Sequence, residues 1–318
     1  MDAPPPLVSF DNIEKYISAL DTTSKALFAE DLRRLHHLGL PAVASTRTLA
    51  TLFGYSAQFV GAMVANPERY YRSFSIPKGK RRRHIDAPRV ALKVIQKWLG
   101  FHLSREVLLP DCVVGFVPGR STYDGAVMHC SSEWIYSTDI TDFFPSTRHN
   151  KVVETLETLG YSSHGSKTIA GLCCVNGGLA QGSPASPVLA NLAFLELDKK
   201  LLNFSKDNSL TYSRYADDIV ISGRGKPPND LRTFVEDLTS ESGWDLSPEK
   251  TSTKFLPKRL KVYGLVVNGS LPRLTKGYRK RIRAIRHLKE AGKIPADKMA
   301  NANGHLAYAD SIRSRQLS

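Results

Sequence analysis

The chain has 318 residues, 42% of them hydrophobic and 23% charged, enough to bury a sizeable core as one large or two to three small domains and unlike a disordered or low-complexity protein. Lys and Arg outnumber Asp and Glu by 44 to 30, and the resulting formal charge of +14 favours an anionic partner, most commonly nucleic acid. No stretch approaches the roughly 18 consecutive apolar residues that cross a bilayer, and Cys112, Cys130, Cys173 and Cys174 have neither the C-x-x-C spacing nor the nearby histidines of a zinc site or disulfide framework.

The opening Met1-Asp2-Ala3-Pro4-Pro5-Pro6 has no basic start and no apolar core, so no secretory signal is expected and the cytoplasm is the expected compartment. Residues 1–70 read as a mostly helical N-terminal region: Ile13, Tyr16, Ile17 and Leu20 share one helical face, and a second pattern runs through Leu32, Leu35 and Leu38. His36-His37 has no partner at metal-ligand spacing. Residues 70–90 read as a two-stranded element around Gly79, followed by a helix from Val90 to Leu109. Trp134-Ile135-Tyr136-Ser137-Thr138 is β-prone and delivers Asp139 to a strand end. Asp142 follows in the loop as a candidate N-cap, and Pro145 prevents the strand from continuing. Val152, Leu156 and Leu159 then mark a helix stopped by Gly160, and a further helix is expected from Pro187 to Leu202.

Leu210-Thr211-Tyr212-Ser213-Arg214 and Ile219-Val220-Ile221 flank Tyr215-Ala216-Asp217-Asp218, a pattern that reads as a β-hairpin with two acids at its tip. Taken alone, the four residues also fit a solvated Asp-Asp turn. Burying adjacent like charges is costly unless a cation neutralises them, and carboxylate oxygens suit Mg²⁺. If the two strands are neighbours, Asp139 meets Asp217 and Asp218. Three carboxylates from two loops can hold two Mg²⁺ ions about 4 Å apart for in-line phosphoryl transfer. Gly223 to Pro228 is the loop after the hairpin. From Lys254 to Lys289 there are twelve Lys or Arg and no acid. Within that segment Tyr278, Ile282 and Ile285 form an apolar stripe at helical spacing. Arg279, Arg283 and Arg286 form a basic stripe about 100° around the helix, suited to phosphate contact.

In this order the motifs resemble those of a reverse transcriptase over about Tyr71 to Asn268. Ile76 to Ile85 looks like the basic fingers segment, and Val114 to Ser121 like the segment before the palm. Asp139 to Ser146 looks like the first palm motif, Gln181 to Pro187 like the template-and-nucleotide loop, and Tyr215 to Asp218 like the second palm motif. Lys250 looks like the lysine of the next motif, and Val262 to Val267 like the primer grip, with a thumb-like tail after it. The resemblance implies an α+β right-hand polymerase: fingers at 71–133 and 147–180, palm (an antiparallel sheet packed on helices) at 134–146 and 181–253, and primer grip with basic helical thumb at 254–318. It implies catalytic Asp139, Asp217 and Asp218, with Ile140 also among the metal-binding positions. Arg83 and Lys78 would contact the triphosphate. Phe144 would lie under the sugar and reject a 2′-OH, Gln181 would position nucleotide or template, and Lys250 would serve the leaving pyrophosphate. Tyr215 would touch the primer end, and Val262 to Val267 would form a strand hairpin on the primer backbone.

The short chain, its Leu179-Ala180-Gln181-Gly182-Ser183-Pro184 run and Arg214 before Tyr215 look most like bacterial retron reverse transcriptases. Two positions depart from that pattern. Where those enzymes carry Asn-Ala-x-x-His, this chain reads Gly125-Ala126-Val127-Met128-His129, and where they carry Val-Thr-Gly it reads Val262-Tyr263-Gly264. The resemblance implies a structured noncoding RNA (msr-msd type) as template and primer, dNTP substrates and a 2′-5′ branched msDNA product. It also implies a separate effector protein in anti-phage defence. Another defence-associated reverse transcriptase is the nearest alternative. A non-catalytic RNA-binding scaffold is disfavoured by the intact acids, a nucleotide cyclase by the basic tail, and an intron maturase by the missing C-terminal domains. No RNase H domain is expected.

Overall fold

A computed structural model describes residues 10–79 and 81–316, without the side chains of Lys78 and Arg81. The Met1–Pro6 stretch and the side chain of Lys78, both singled out in the sequence, therefore lie outside the described residues. The chain divides into two units, one running up to Leu109 and including Thr141–Glu196, the other made of Pro110–Ile140 and the chain from Leu197 onward.

In the first unit, the first two helices begin where side chains cap them. Asn12 accepts from the Lys15 amide at the head of Ile13–Ser18, and Asp21 accepts from the Ser24 amide at the head of Thr22–His37. Tyr16, Ile17, Leu20, Leu32 and Leu35 are buried as their spacing predicts. Leu38 is half-exposed, because the helix ends at His37 and the next residue leaves the buried face. The two-stranded element is an antiparallel ribbon of β1 (Tyr71–Lys78) and β2 (Arg81–Pro88), with Gly79 at φ +62° between them. The helix Val90–Glu106 stops three residues short of Leu109, since Val107 turns extended. The helix His149–Leu159 ends on Gly160 at φ +110°. The single helix expected from Pro187 to Leu202 is two, Ser186–Ala193 and Leu195–Asp207. They part at Phe194, whose buried ring meets Phe143 edge-on at 5.9 Å.

The second unit is organised by a four-stranded antiparallel sheet of β3 (Trp134–Asp139), β4 (Thr211–Tyr215), β5 (Asp218–Gly223) and β6 (Ser252–Phe255), in spatial order β4-β5-β3-β6. Alternation gives the sheet two chemically distinct faces. Trp134, Tyr136, Tyr212, Arg214, Ile219 and Ile221 point to one. That face is met by the helix Leu195–Asp207 through Asp198 and by Leu231–Glu241, joined to it by the Phe204–Phe234 stack at 4.0 Å. Ile135, Ser137, Asp139, Ser213, Tyr215, Asp218, Val220 and Ser222 point to the other.

On that second face Ile135 and Val220 share a core with Tyr123 and Ala126 of the helix Thr122–Met128, with Leu260, Val262, Leu265 and Val267, and with Ile312 of the last helix, Ala296–Ser314. The expected hairpin between Val262 and Val267 is present, Val262 pairing with Leu265, and a third short strand, Arg273–Leu274, extends it. The four cysteines are free thiols. Among the described residues no helix is long and apolar enough to cross a membrane.

Between this core and the sheet runs a line of buried polar side chains. Ser132 Oγ meets Ser222 Oγ at 2.9 Å, Ser222 meets His129 Nδ1 at 2.7 Å, and His129 Nε2 meets Ser213 at 2.7 Å. Ser213 in turn meets the Tyr263 hydroxyl at 2.7 Å. No carboxylate faces His129 in this line, and burial pushes its imidazole down to about 3 from an ordinary 6.5. Because the folded protein resists protonation there, this contribution to stability is complete above pH 6.5 and is lost as the pH falls toward 3. Between pH 7 and pH 5 the protein is expected to lose about 2 kcal/mol of unfolding free energy through His129. Because Asp218, held near 8, gains stability over the same range, the loss is read as a difference: urea unfolding of wild type and His129→Gln at both pH values is expected to show the stability gap between them changing by about 2 kcal/mol.

Candidate active site

Asp139, the last residue of β3, is the direct cross-strand partner of Asp218, the first residue of β5. Tyr215 pairs with Asp218 across the β4–β5 turn, which leaves only Ala216 and Asp217 in the turn, with Ala216 at φ +56°. The sequence put Asp139 at a strand end, as found, and both Asp217 and Asp218 at the hairpin tip. Of those two only Asp217 lies in the turn, because a two-residue connection carries the pairing up to Asp218 itself. One main-chain bond ties the acid-bearing segments together, Ile140 N donating to the Asp217 carbonyl, and a second, from Ser247 N to the Asp139 carbonyl, anchors Asp139 to the segment that leads to Lys250, both at 2.8 Å.

Cross-strand partners stand about 4.5–5.5 Å apart at Cα, so these carboxylates cannot retreat from one another. Burial, a hydrogen bond with Asp139 and the charges of Asp139 and Asp217 together push Asp218 up to about 8, with Lys250 opposing them. Lys250 forms an ion pair with Asp139. Desolvation disfavours its charged form, but Asp139, with Asp217 and Asp218, outweighs that and holds the ammonium above the ordinary lysine range.

Among the described residues no three His, Cys, Asp or Glu side chains are gathered closely enough to hold a metal ion as they stand. The donors themselves are nonetheless suited to one. They are hard oxygens on a rigid frame, and their mutual repulsion is what a divalent cation would relieve. Ile140 is buried with a hydrocarbon side chain, so only its carbonyl oxygen could join them.

Tyr215 lies in a row of rings, 6.3 Å from Phe116 and 5.6 Å from Tyr263 between centroids. Tyr263 also links the two positions that depart from the retron pattern. A Cβ on Gly125 would stand 2.6 Å from Tyr263 Cε2, so the large ring at one position is matched by the absence of a side chain at the other. No periodicity or spacing signals such a pairing; it exists only between a helix and a distant turn.

The other candidates are distributed as follows. Phe144 is half-buried, its ring 5.6 Å from that of Phe143, and it is Phe143 that fills the core. Gln181 holds β2 through its carbonyl, which accepts from Asp86 N at 3.0 Å. Gly182 does allow a close backbone approach, and the backbone it meets is that of Asp86, whose carbonyl oxygen would stand 2.6 Å from a Cβ. Arg83 is half-buried on β2. Phe144, Gln181, Arg83 and Lys78 belong to the first unit and the three aspartates, Lys250 and Tyr215 to the second.

Arg279, Arg283 and Arg286 are exposed on the helix Lys276–Glu290 while Ile282 is buried, as the paired stripes predict. The three arginines line a groove of about 560 Å³ with Arg273 and Arg313, over a floor that includes Ile282 and Ile312; within it Arg286 is paired to Asp310 at 2.9 Å.

Residues 75–267 match the family described as Reverse transcriptase (RNA-dependent DNA polymerase). The chain is 29% identical over 286 residues to the retron Ec86 reverse transcriptase of Escherichia coli, covering 89% of each chain. It is 30% identical over 315 residues to the retron Mx65 reverse transcriptase of Myxococcus xanthus, covering 90% of this chain and 72% of that one. Among solved structures it aligns with telomerase from Candida albicans in complex with a fragment of telomeric RNA, at a TM-score of 0.45 and 12% identity over 70% of this chain and 50% of that one. With a cross-strand pair of aspartates beside a third in the adjoining turn, and with this match over most of its length, the chain belongs to the reverse transcriptase family, as an RNA-directed DNA polymerase of the retron type.

Proposed function

We propose that Asp139, Asp217 and Asp218, with the Ile140 carbonyl, form the catalytic centre at which a primer hydroxyl attacks the α-phosphate of a deoxynucleoside triphosphate. The observation that carries this reading is the Asp139–Asp218 pairing, which holds two acids side by side next to a third. Members of this family use divalent metal ions. Here two Mg²⁺ ions would supply charge neutralisation at the attacking hydroxyl and the leaving pyrophosphate.

The protein's own contribution is positioning and charge stabilisation. Lys250, already paired to Asp139, would pass its ammonium from that carboxylate to pyrophosphate oxygens as they gain charge. Phe144 excludes a 2′-OH, Arg83 and Lys78 hold the triphosphate, Gln181 positions nucleotide or template, and Tyr215 meets the primer end. Arg279, Arg283 and Arg286 grip phosphates of the template and primer. In this reading 71–133 and 147–180 are the fingers, 134–146 and 181–253 the palm, and 254–318 the primer grip and thumb. The template is a structured noncoding RNA of the msr-msd type that also primes synthesis from a 2′-OH, so that the product is branched msDNA. The setting is cytoplasmic anti-phage defence with a separate effector protein.

Asp217→Asn is expected to lower deoxynucleotide incorporation on poly-rA primed with oligo-dT by roughly a thousandfold or more, while RNA affinity stays near that of the wild type. Retained synthesis in that variant would refute the assignment. Phe144→Ala is expected to narrow the preference for dNTPs over rNTPs by on the order of a hundredfold, read from single-nucleotide extension with each substrate.

A further inference from the structure

We propose that Arg214, backed by Asp198, is a positioning residue that sets the metal-binding turn from the opposite face of the sheet; this rests on the reading of Asp139, Asp217 and Asp218 as metal ligands. Alternation along β4 sends Ser213 and Tyr215 toward Asp139 and Asp218, and Tyr212 and Arg214 away from them. Behind the sheet Arg214 is fully buried and its guanidinium divides its bonds. Nε donates to Asp198 Oδ1 at 2.8 Å and Nη2 to Oδ2 at 2.6 Å. The Tyr212 hydroxyl donates to the same Oδ1 at 2.6 Å. Nη1 turns the other way and donates to the Ala216 carbonyl at 2.9 Å.

That carbonyl belongs to the peptide unit joining Ala216 to Asp217, so its direction sets how Asp217 leaves the turn. Ala216 needs such a hold, since a positive φ is costly for a residue with a Cβ. The main chain of Arg214 is itself fixed: its N donates to the Cys112 carbonyl at 2.8 Å, and its carbonyl accepts from Val114 N at 2.9 Å. The segment beyond presses on the turn as well, because a Cβ on Gly115 would stand 2.9 Å from Tyr215 Cα. A bidentate pair would suffice to hold the helix Leu195–Asp207 on the sheet. The bond to Ala216 serves the turn instead, and it requires the planar fork of arginine, which a single lysine nitrogen cannot reproduce.

Two variants separate positioning from simple stabilisation. Asp198→Asn with Arg214→Met removes both buried charges and leaves an amide oxygen for the Tyr212 hydroxyl. Arg214→Lys keeps the charge pair but loses the fork. The measurements are the melting temperature, Mn²⁺ binding followed by the paramagnetic resonance of the free ion, and the Mg²⁺ dependence of deoxynucleotide incorporation. The double variant is expected to remain folded but to melt below the wild type, because it removes both buried charges together yet takes a donor from the Ala216 carbonyl. Both variants are expected to bind Mn²⁺ at least tenfold more weakly, with a matching rise in the Mg²⁺ needed for half-maximal incorporation. If the double variant does not fold, the lysine variant carries the same comparison. A folded variant with wild-type Mn²⁺ affinity and Mg²⁺ dependence overturns the positioning role alone. A wild-type protein that neither binds Mn²⁺ nor incorporates deoxynucleotides overturns the reading of the three aspartates, and the positioning role with it.

Discussion

Asp139 and Asp218 repel one another across the β3–β5 pairing, and the strand register leaves them no means of separating. Moving either acid would require slipping a strand, which would turn every residue of that strand to the wrong face. The repulsion is met instead by chemistry: Asp218 holds a proton more tightly than an ordinary carboxyl, and the Lys250 ammonium sits on Asp139. Both relieve the negative charge that the pairing crowds together.

The sheet that imposes this pairing faces two environments. On the side of the acids, the buried line from Ser132 to Tyr263 satisfies polar groups under the hairpin without introducing a charge, which is why His129 stays neutral. On the opposite side an intact ion pair is buried, where breaking it by removing one partner costs roughly 3–5 kcal/mol. A hairpin with neutral hydrogen bonds on one face and a charge-assisted network on the other is held from both directions. Its tip can therefore keep Ala216 in an unfavourable conformation.

The row of Phe116, Tyr215 and Tyr263 extends this support sideways. The ring of Tyr263 fits because residue 125 is glycine, so the helix Thr122–Met128 and the turn after Val262 have adjusted to one another. The basic helix Lys276–Glu290 lies in the same unit, anchored by buried Ile282 with Arg279, Arg283 and Arg286 exposed.

Local chemistry was legible in the sequence wherever neighbours along the chain decide it. The alternation in Thr211–Tyr215, the β-prone run ending at Asp139, the glycine stop at Gly160 and the paired stripes of the basic helix all depend on contacts a few residues apart, and all were found where the spacing put them. The three aspartates and Lys250 were likewise named from the sequence. Tertiary structure decided what depends on distant partners. It broke the helix at Phe194, where a ring must reach Phe143; it placed Asp218 within the sheet; and it gave Lys250 to Asp139. It also joined Arg214 to Asp198 and Gly125 to Tyr263. These pairs are separated by 16 and 138 residues, and no periodicity connects them, because burial and charge pairing act through space and not along the chain.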